Sequence, residues 1–212
     1  MITFQALSIM HNNLLVKMPG YRQIEYTIIL NPNEALREKI MKVRNEVHSK
    51  YPTSISLSGK PNIRLAKFFS LEMMEEKLIN HLRTIAMGMP PFKAELKDYG
   101  SFPSHTLFIN VASKIPLQML MKDLRTVRRL IKSPDKEPNF ANEFYIPLAI
   151  RLSPEQYDKA WLEYSKRQFS GSFIADSMLL LKRRSGEKNY QIAERFEFMN
   201  LPVSVRQGEL FA

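Results

Sequence analysis

Two short stretches of the chain share an unusual alternating pattern. Residues 60–68 (KPNIRLAKF) and 145–152 (YIPLAIRL) each alternate apolar side chains with polar or conformationally special ones. A period of two is typical of a β-strand that buries one of its faces. The pattern places Asn62 and Arg64 on one face of the first strand, and Tyr145 and Pro147 on one face of the second. The sequence therefore predicts two half-buried strands, each displaying a pair of side chains on one face.

The surrounding sequence predicts a strand, a helix and a strand in each half of the chain. Asn31 and Asn33 are the candidate N-caps of the first helix and Ser153 that of a later one, and the proline at 154 suits the first helical turn. Pro147 has no N–H group, so its strand is expected to be bulged or to lie at a sheet edge. The predicted strands cover residues 26–30, 60–69, 92–96, 106–111, 144–152, 169–175, 177–183 and 190–198, and the other predicted helices cover 72–87 and 117–132.

The two stretches resemble the paired motifs of the two-histidine phosphoesterase superfamily, which includes bacterial 2'-5' RNA ligase-like proteins and cyclic nucleotide phosphodiesterases. In that superfamily each of two strands carries His-x-Thr or His-x-Ser. Here Asn62 and Tyr145 occupy the histidine positions, and Arg64 and Pro147 occupy the hydroxyl positions. The resemblance implies an α+β fold in which two pseudo-symmetric lobes place antiparallel sheets around a central cleft.

The resemblance also implies a division of the chain into three parts. Residues 21–200 are expected to form a single bilobal domain. Residues 1–20 are expected to be an N-terminal extension, and residues 201–212 a C-terminal tail.

The motif substitutions bear directly on catalysis. In the superfamily one histidine acts as a general base and the other protonates the leaving oxygen, roles that need groups titrating near neutral pH. Asn62 exchanges no proton in this range, and the ordinary pKa of a tyrosine such as Tyr145 is about 10. The sequence therefore predicts a pseudoenzyme that binds RNA ends or nucleotides in the residual cleft. The alternative is an active phosphodiesterase or RNA ligase-like enzyme that uses Tyr145, Arg64 or His105 in altered roles.

Positive charge favours a polyanionic partner. The net charge is +10 and the isoelectric point is about 9.7, which makes RNA or a nucleotide the first expectation. Arg64 offers a planar donor fork suited to phosphate, although it could instead pair with a nearby carboxylate. The basic face of the 117–132 helix is a second candidate, with a solvated surface as the alternative. The candidate phosphate or nucleic-acid contacts are Asn62, Arg64, Tyr145, Lys60, Lys67, Lys182, Arg183, Arg125 and Arg129.

Composition excludes several other function classes. The chain has no cysteine, which excludes disulfides, thiol catalysis and thiolate metal sites and is typical of a reducing compartment. No apolar run is long enough to span a bilayer and no signal peptide is recognisable, so a cytoplasmic protein without membrane contact is expected. The sequence shows no metal-ligand cluster or glycine-rich phosphate loop, and no cofactor is predicted.

The C-terminal tail supplies a third function class. Gln207, Leu210 and Phe211 resemble the Gln-x-x-Leu-Phe peptides that bind the bacterial sliding clamp. The tail would then serve as a protein-interaction module. The alternative is that Leu210 and Phe211 pack on their own domain.

Overall fold

Strands and helices alternate along the part of the chain that the structure describes. The computed structural model describes residues 20–53, 57, 59–103, 105–131, 133 and 136–202. The strands are β1 (Gln23–Leu30), β2 (Ile63–Leu71), β3 (Phe92–Phe102), β4 (Thr106–Val111), β5 (Asn139–Phe140), β6 (Tyr145–Ile150), β7 (Ser170–Ala175), β8 (Ser177–Arg184) and β9 (Gln191–Glu197). The α-helices are α1 (Glu34–Lys50), α2 (Glu75–Gly88), α3 (Lys114–Leu124) and α4 (Pro154–Tyr164), and Glu72–Met74 and Arg125–Leu130 form short 3-10 segments.

The strands form two antiparallel sheets. Sheet A has the order β5-β2-β1-β8-β9, and sheet B has the order β6-β4-β3-β7. The two predicted motif strands, β2 and β6, therefore belong to different sheets. The chain returns from sheet B to sheet A across Asp176, between β7 and β8. The predicted α+β class with two antiparallel sheets is confirmed.

Sheet A carries α2 on one face. The Tyr26 hydroxyl on β1 donates a hydrogen bond of 2.8 Å to Glu75 at the start of α2. Tyr26 is fully buried and stacks on its cross-strand neighbour Phe68. Because side chains alternate along a strand, Thr27 on β1 and Lys67 on β2 point to the opposite face of the sheet.

Sheet B carries α1 and α4. Tyr164 of α4 packs edge-on against Tyr99 of β3, with the ring centroids 5.1 Å apart. Leu36 of α1 lies so close to β7 that a β-carbon on Gly171 would be 2.5 Å from its Cδ1 atom and would force the leucine side chain to move. Arg167, just after α4, links the two helices through ion pairs with Glu46 of α1 at 2.8 Å and with Glu163 of α4.

Local sequence signals place the helix starts correctly. The Asn33 side chain accepts a hydrogen bond from the Leu36 N–H, and Ser153 and Gln156 form a reciprocal capping box. Ser153 is confirmed as a cap, and of the two candidates for α1 the cap is Asn33 and not Asn31. Each satisfies an N–H group that the first helical turn would leave without a partner.

Two predicted boundaries were wrong. The helix expected over residues 117–132 begins at Lys114, and its α-helical part ends at Leu124. The Thr126 hydroxyl donates a 2.6 Å hydrogen bond to the Asp123 carbonyl, and the chain tightens into a 3-10 segment there. β3 continues to Phe102 instead of ending near residue 96, because a bulge with Asp98 at φ 58° interrupts the alternation without ending the strand.

The predicted terminal segments are largely outside the described residues. The extension 1–20 is described only at Gly20, and the tail 201–212 only at Leu201 and Pro202. The clamp-like residues Gln207, Leu210 and Phe211 lie outside the described residues. Within the described ranges, no helix combines the length and the apolar character needed to cross a membrane.

Removal of the α4 cap tests the local account of helix formation. Ser153→Ala should lower the free energy of unfolding by about 1 kcal/mol, because the Gln156 N–H loses its acceptor. Urea denaturation measures the change. Ser165→Ala, at the opposite end of α4, is the matched control and should have little effect. Equal losses in the two variants would contradict the capping role.

Candidate functional site

The first motif strand presents a row of side chains on the face of sheet A opposite α2. Leu65 is an extra residue in the pairing of β2 with β1, so Arg64, Lys67 and Phe69 all lie on one face. We call this the motif face of sheet A. The cross-strand neighbours of these three residues on β1 are Ile29, Thr27 and Glu25. On the other side of β1, Arg183 of β8 is the cross-strand neighbour of Glu25.

Asn62 and Arg64 have different surroundings. Asn62 is half-buried, and its amide donates a 2.9 Å hydrogen bond to the Lys60 carbonyl. Arg64 is exposed, as is Lys60. Arg64 forms no hydrogen bond or ion pair with the part of the chain that the structure describes. The carboxylate pairing considered for Arg64 is therefore not seen among those residues, and its guanidinium faces solvent.

Glu25 organises the other cations of the motif face. Its carboxylate, 10% exposed, lies 3.1 Å from Lys67 Nζ and 3.0 Å from an Arg183 guanidinium nitrogen, and it accepts a hydrogen bond from the Tyr190 hydroxyl. Burial alone would raise the pKa of Glu25, but hydrogen bonds from Tyr190, Lys67 and Arg183 outweigh it and hold the pKa below its usual value. Arg183 also stacks over the Tyr190 ring. Two predicted phosphate ligands, Lys67 and Arg183, are thus partly neutralised.

The second motif strand carries an aromatic cluster. The Tyr145 ring packs 5.0 Å from Phe102 and 4.7 Å from Phe108, measured between centroids. A β-carbon on Gly100 would lie 2.4 Å from the Phe108 ring, so glycine is required beneath it. β6 is the edge strand of sheet B, and its pairing with β4 shifts register beside Pro147. The expectation that Pro147 marks an edge or bulged strand is confirmed on both counts.

A cavity of about 520 Å³ opens beside Tyr145. Aromatic rings and side-chain amides meet there, a combination suited to a planar polar ligand, and the carboxylates of Asp98 and Glu143 offset the charge of two lysines. Neither Asn62 nor Arg64 lines it. The rings belong to Phe108, Phe144 and Tyr145, the amides to Asn110, Gln118 and Asn142, and the lysines are Lys97 and Lys114.

Arg44 of α1 joins the two motif regions. One guanidinium nitrogen donates to the Gly59 carbonyl at 2.7 Å, just before β2, and the other donates to the Pro147 carbonyl in β6 at 3.0 Å. Arg44 is 6% exposed, and burial lowers its pKa. Sequence reasoning missed this residue, although a signal was present. Arg44 falls on the apolar stripe of α1, four residues after Ile40 and three before Val47.

The remaining predicted cations lie on other surfaces. Lys182 is on the α2 side of sheet A, where it forms a 2.7 Å ion pair with Glu75. Arg125 and Arg129 are exposed on the 3-10 segment after α3. Arg125 donates to the Asn142 side chain at 2.9 Å and so reaches the loop beside the Tyr145 cavity.

The described histidines are dispersed. His48 is in the last turn of α1, and His81 of α2 lies 2.7 Å from the Thr126 hydroxyl. His105 is exposed in the β3–β4 turn, next to Thr106. These three side chains form no pair across the two motif strands. Among the described residues, no three His, Cys, Asp or Glu side chains cluster closely enough to hold a metal ion.

Comparison with known proteins gives one family and one fold. The family model described as the 2'-5' RNA ligase superfamily matches residues 31–187. Escherichia coli LigT complexed with 3'-AMP superposes with a TM-score of 0.60 at 17% sequence identity, over 84% of this chain and 98% of LigT. TT0787 of Thermus thermophilus gives a TM-score of 0.55 at 19% identity, over 82% of this chain and 98% of TT0787. No curated protein sequence matches the chain significantly.

The Arg44 bridge leads to a stability prediction. Arg44→Met removes the donors to the Gly59 and Pro147 carbonyls, and should lower the free energy of unfolding by about 2–4 kcal/mol. Lys42→Met, which removes an exposed cation from the same helix, should change it by less than about 0.5 kcal/mol. Urea denaturation compares the two. A loss in Arg44→Met as small as that in Lys42→Met would show that the bridge contributes little.

Proposed function

Because the chain belongs to the 2'-5' RNA ligase superfamily, we propose that it is a catalytically degenerate member that binds a nucleotide or RNA end through Arg64. The observation that carries the proposal is the exposed Arg64 guanidinium, without a carboxylate partner among the described residues, at a position where the resemblance places a phosphate-contacting hydroxyl. LigT itself has been solved with 3'-AMP, NADP+, ATP and phosphate. Each of these ligands carries phosphate.

The loss of catalysis follows from the groups at the histidine positions. The Asn62 amide has no proton to exchange near neutral pH, and it is already bonded to the Lys60 carbonyl. The Tyr145 ring is packed among Phe102 and Phe108. Each general acid or base contributes typically about 10²- to 10⁴-fold in rate, so the loss of two such groups removes most of the chemical acceleration.

Phosphate binding does not depend on those protons. A guanidinium presents fixed, parallel donors that match two phosphate oxygens, and it stays charged at any physiological pH. Lys60 is exposed close to Arg64 in the sequence and adds to the positive potential. The net charge of +10 favours encounter with an anionic ligand.

The Tyr145 cavity supplies a place for the rest of a nucleotide. Its volume of about 520 Å³ falls within the usual range for small-molecule sites. A base could stack on Tyr145 or Phe144, while Asn110 and Gln118 offer both donors and acceptors to its edge. In this proposal the phosphate contact comes from sheet A and the base contact from sheet B.

Binding of 3'-AMP tests the proposal. Arg64→Ala should weaken binding by about 10- to 100-fold, because a charged two-point hydrogen bond is lost. Arg83→Ala is the matched control, since Arg83 is an exposed arginine on α2, on the other face of sheet A. Titration calorimetry at two salt concentrations measures both variants. An affinity that is the same in Arg64→Ala and in the unaltered protein would refute the proposal.

The catalytic part of the proposal has a separate test. The purified protein should not hydrolyse adenosine 2',3'-cyclic phosphate above the background rate, because an asparagine and a tyrosine stand at the two histidine positions. Product formation is followed by chromatography. Turnover that disappears in Tyr145→Phe would instead support an active enzyme with altered catalytic residues. Unchanged turnover in that variant would indicate a contaminating activity.

A further inference from the structure

A second cavity lies at the far end of the motif face of sheet A. It measures about 400 Å³ and is formed beside β1, β2 and the turn that joins β8 to β9. Glu25 and Phe69 belong to its lining, together with Lys136 from the segment before β5. The other lining residues are Gln23, Arg183, Arg184, Ser185, Gly186 and Glu187.

Cations outnumber carboxylates at this cavity. Lys136, Arg183 and Arg184 line it, against Glu25 and Glu187. Arg183 is held by Glu25, and Arg184 forms a 3.0 Å ion pair with Glu72 outside the lining. Because Arg183 and Arg184 are both paired with carboxylates, Lys136 is the lining cation left to attract an anion.

Lys136 is the cation most available to a ligand. It is exposed, and its ammonium group lies 3.8 Å from the centroid of the Phe69 ring. It forms no ion pair with any residue in the described ranges. The ring contact holds the ammonium group over the cavity. Unlike a carboxylate, the ring does not neutralise its charge.

The cavity and Arg64 lie on the same face of β2. Arg64, Lys67 and Phe69 share the motif face, and Lys67 connects the two ends through its contact with Glu25. A strand rises about 3.3 Å per residue, so the five steps from Arg64 to Phe69 span roughly 13–17 Å. A nucleotide with a single phosphate reaches only one end of this row. A ligand with several phosphates along an extended chain reaches both.

We propose that the Lys136 cavity is a second phosphate site for a single-stranded oligonucleotide that lies along β2 with another of its phosphates on Arg64. The proposal rests on the phosphate-binding function assigned to Arg64 above. It adds that the ligand is an oligonucleotide. It also adds that the nucleic acid runs along β2 from Arg64 toward Phe69. Lys67 lies between the two ends of this track.

Two probes separate the sites. One is 3'-AMP, and the other is a fluorescein-labelled oligoribonucleotide of six nucleotides with a 3'-phosphate. Lys136→Ala should weaken binding of the hexanucleotide by about three- to tenfold and leave binding of 3'-AMP unchanged. The slope of log affinity against log salt should fall by about 0.7 for the hexanucleotide, the value for one phosphate contact on a single strand. Fluorescence anisotropy and calorimetry provide the measurements.

Lys188→Ala is the matched control, because Lys188 is an exposed lysine in the same β8–β9 turn that does not line the cavity. It should leave the affinity for the hexanucleotide within about twofold. Equal losses of hexanucleotide affinity in Lys136→Ala and Lys188→Ala would show that Lys136 acts only through general electrostatic attraction. That result would overturn the second site.

A second variant predicts the opposite sign. Glu25→Gln removes the carboxylate that partly neutralises Lys67 and Arg183, so a folded variant should bind the hexanucleotide more tightly, by about three- to tenfold. Thermal unfolding confirms that the variant is folded. Weaker binding by a folded Glu25→Gln protein would count against the second site.

The outcomes distinguish this proposal from the one on which it rests. If Arg64→Ala weakens binding of both probes but Lys136→Ala changes neither, only the second site is refuted. If Arg64→Ala changes neither probe, the phosphate-binding function itself is refuted, and the track along β2 with it.

Discussion

A buried arginine holds the two motif regions of this protein together. Arg44 donates to the Gly59 carbonyl before β2 and to the Pro147 carbonyl within β6, so a single side chain from α1 contacts the surroundings of both motif strands. Burying a guanidinium is costly unless its donors are satisfied, and here backbone carbonyls accept from both terminal nitrogens, while Nε has no partner among the described residues. The relation of sheet A to sheet B near the motifs therefore depends on a contact that involves neither motif side chain.

The motif faces of the two sheets differ in chemistry. On sheet A, the Glu25 carboxylate pairs with Lys67 and Arg183 and accepts a hydrogen bond from Tyr190. Arg64 has no such counter-charge among the described residues. On sheet B, packed rings surround Tyr145. A polar, positively charged surface and an aromatic one suit the two parts of a nucleotide. Neither needs a proton donor with a pKa near 7.

The sequence predicted the features whose signals are local. It missed the features that depend on which residues meet in the folded chain. The caps at Asn33 and Ser153, the motif strands and the edge position of Pro147 follow from side-chain type and alternation, and the family resemblance is confirmed. The acceptors of Arg44 are backbone carbonyls, which leave no trace in the residue types at 59 and 147. The side of sheet A on which Lys182 lies depended on strand register, which a charge pattern does not reveal.

Pro147 also affects how sheet B meets its environment. β6 is an edge strand, and edge strands with free N–H groups and regular pairing can accept a strand from another molecule. Proline removes one of those donors, and the register shift beside it breaks the regular spacing of the others. Pro147 thus makes this edge a poor template for intermolecular β-pairing.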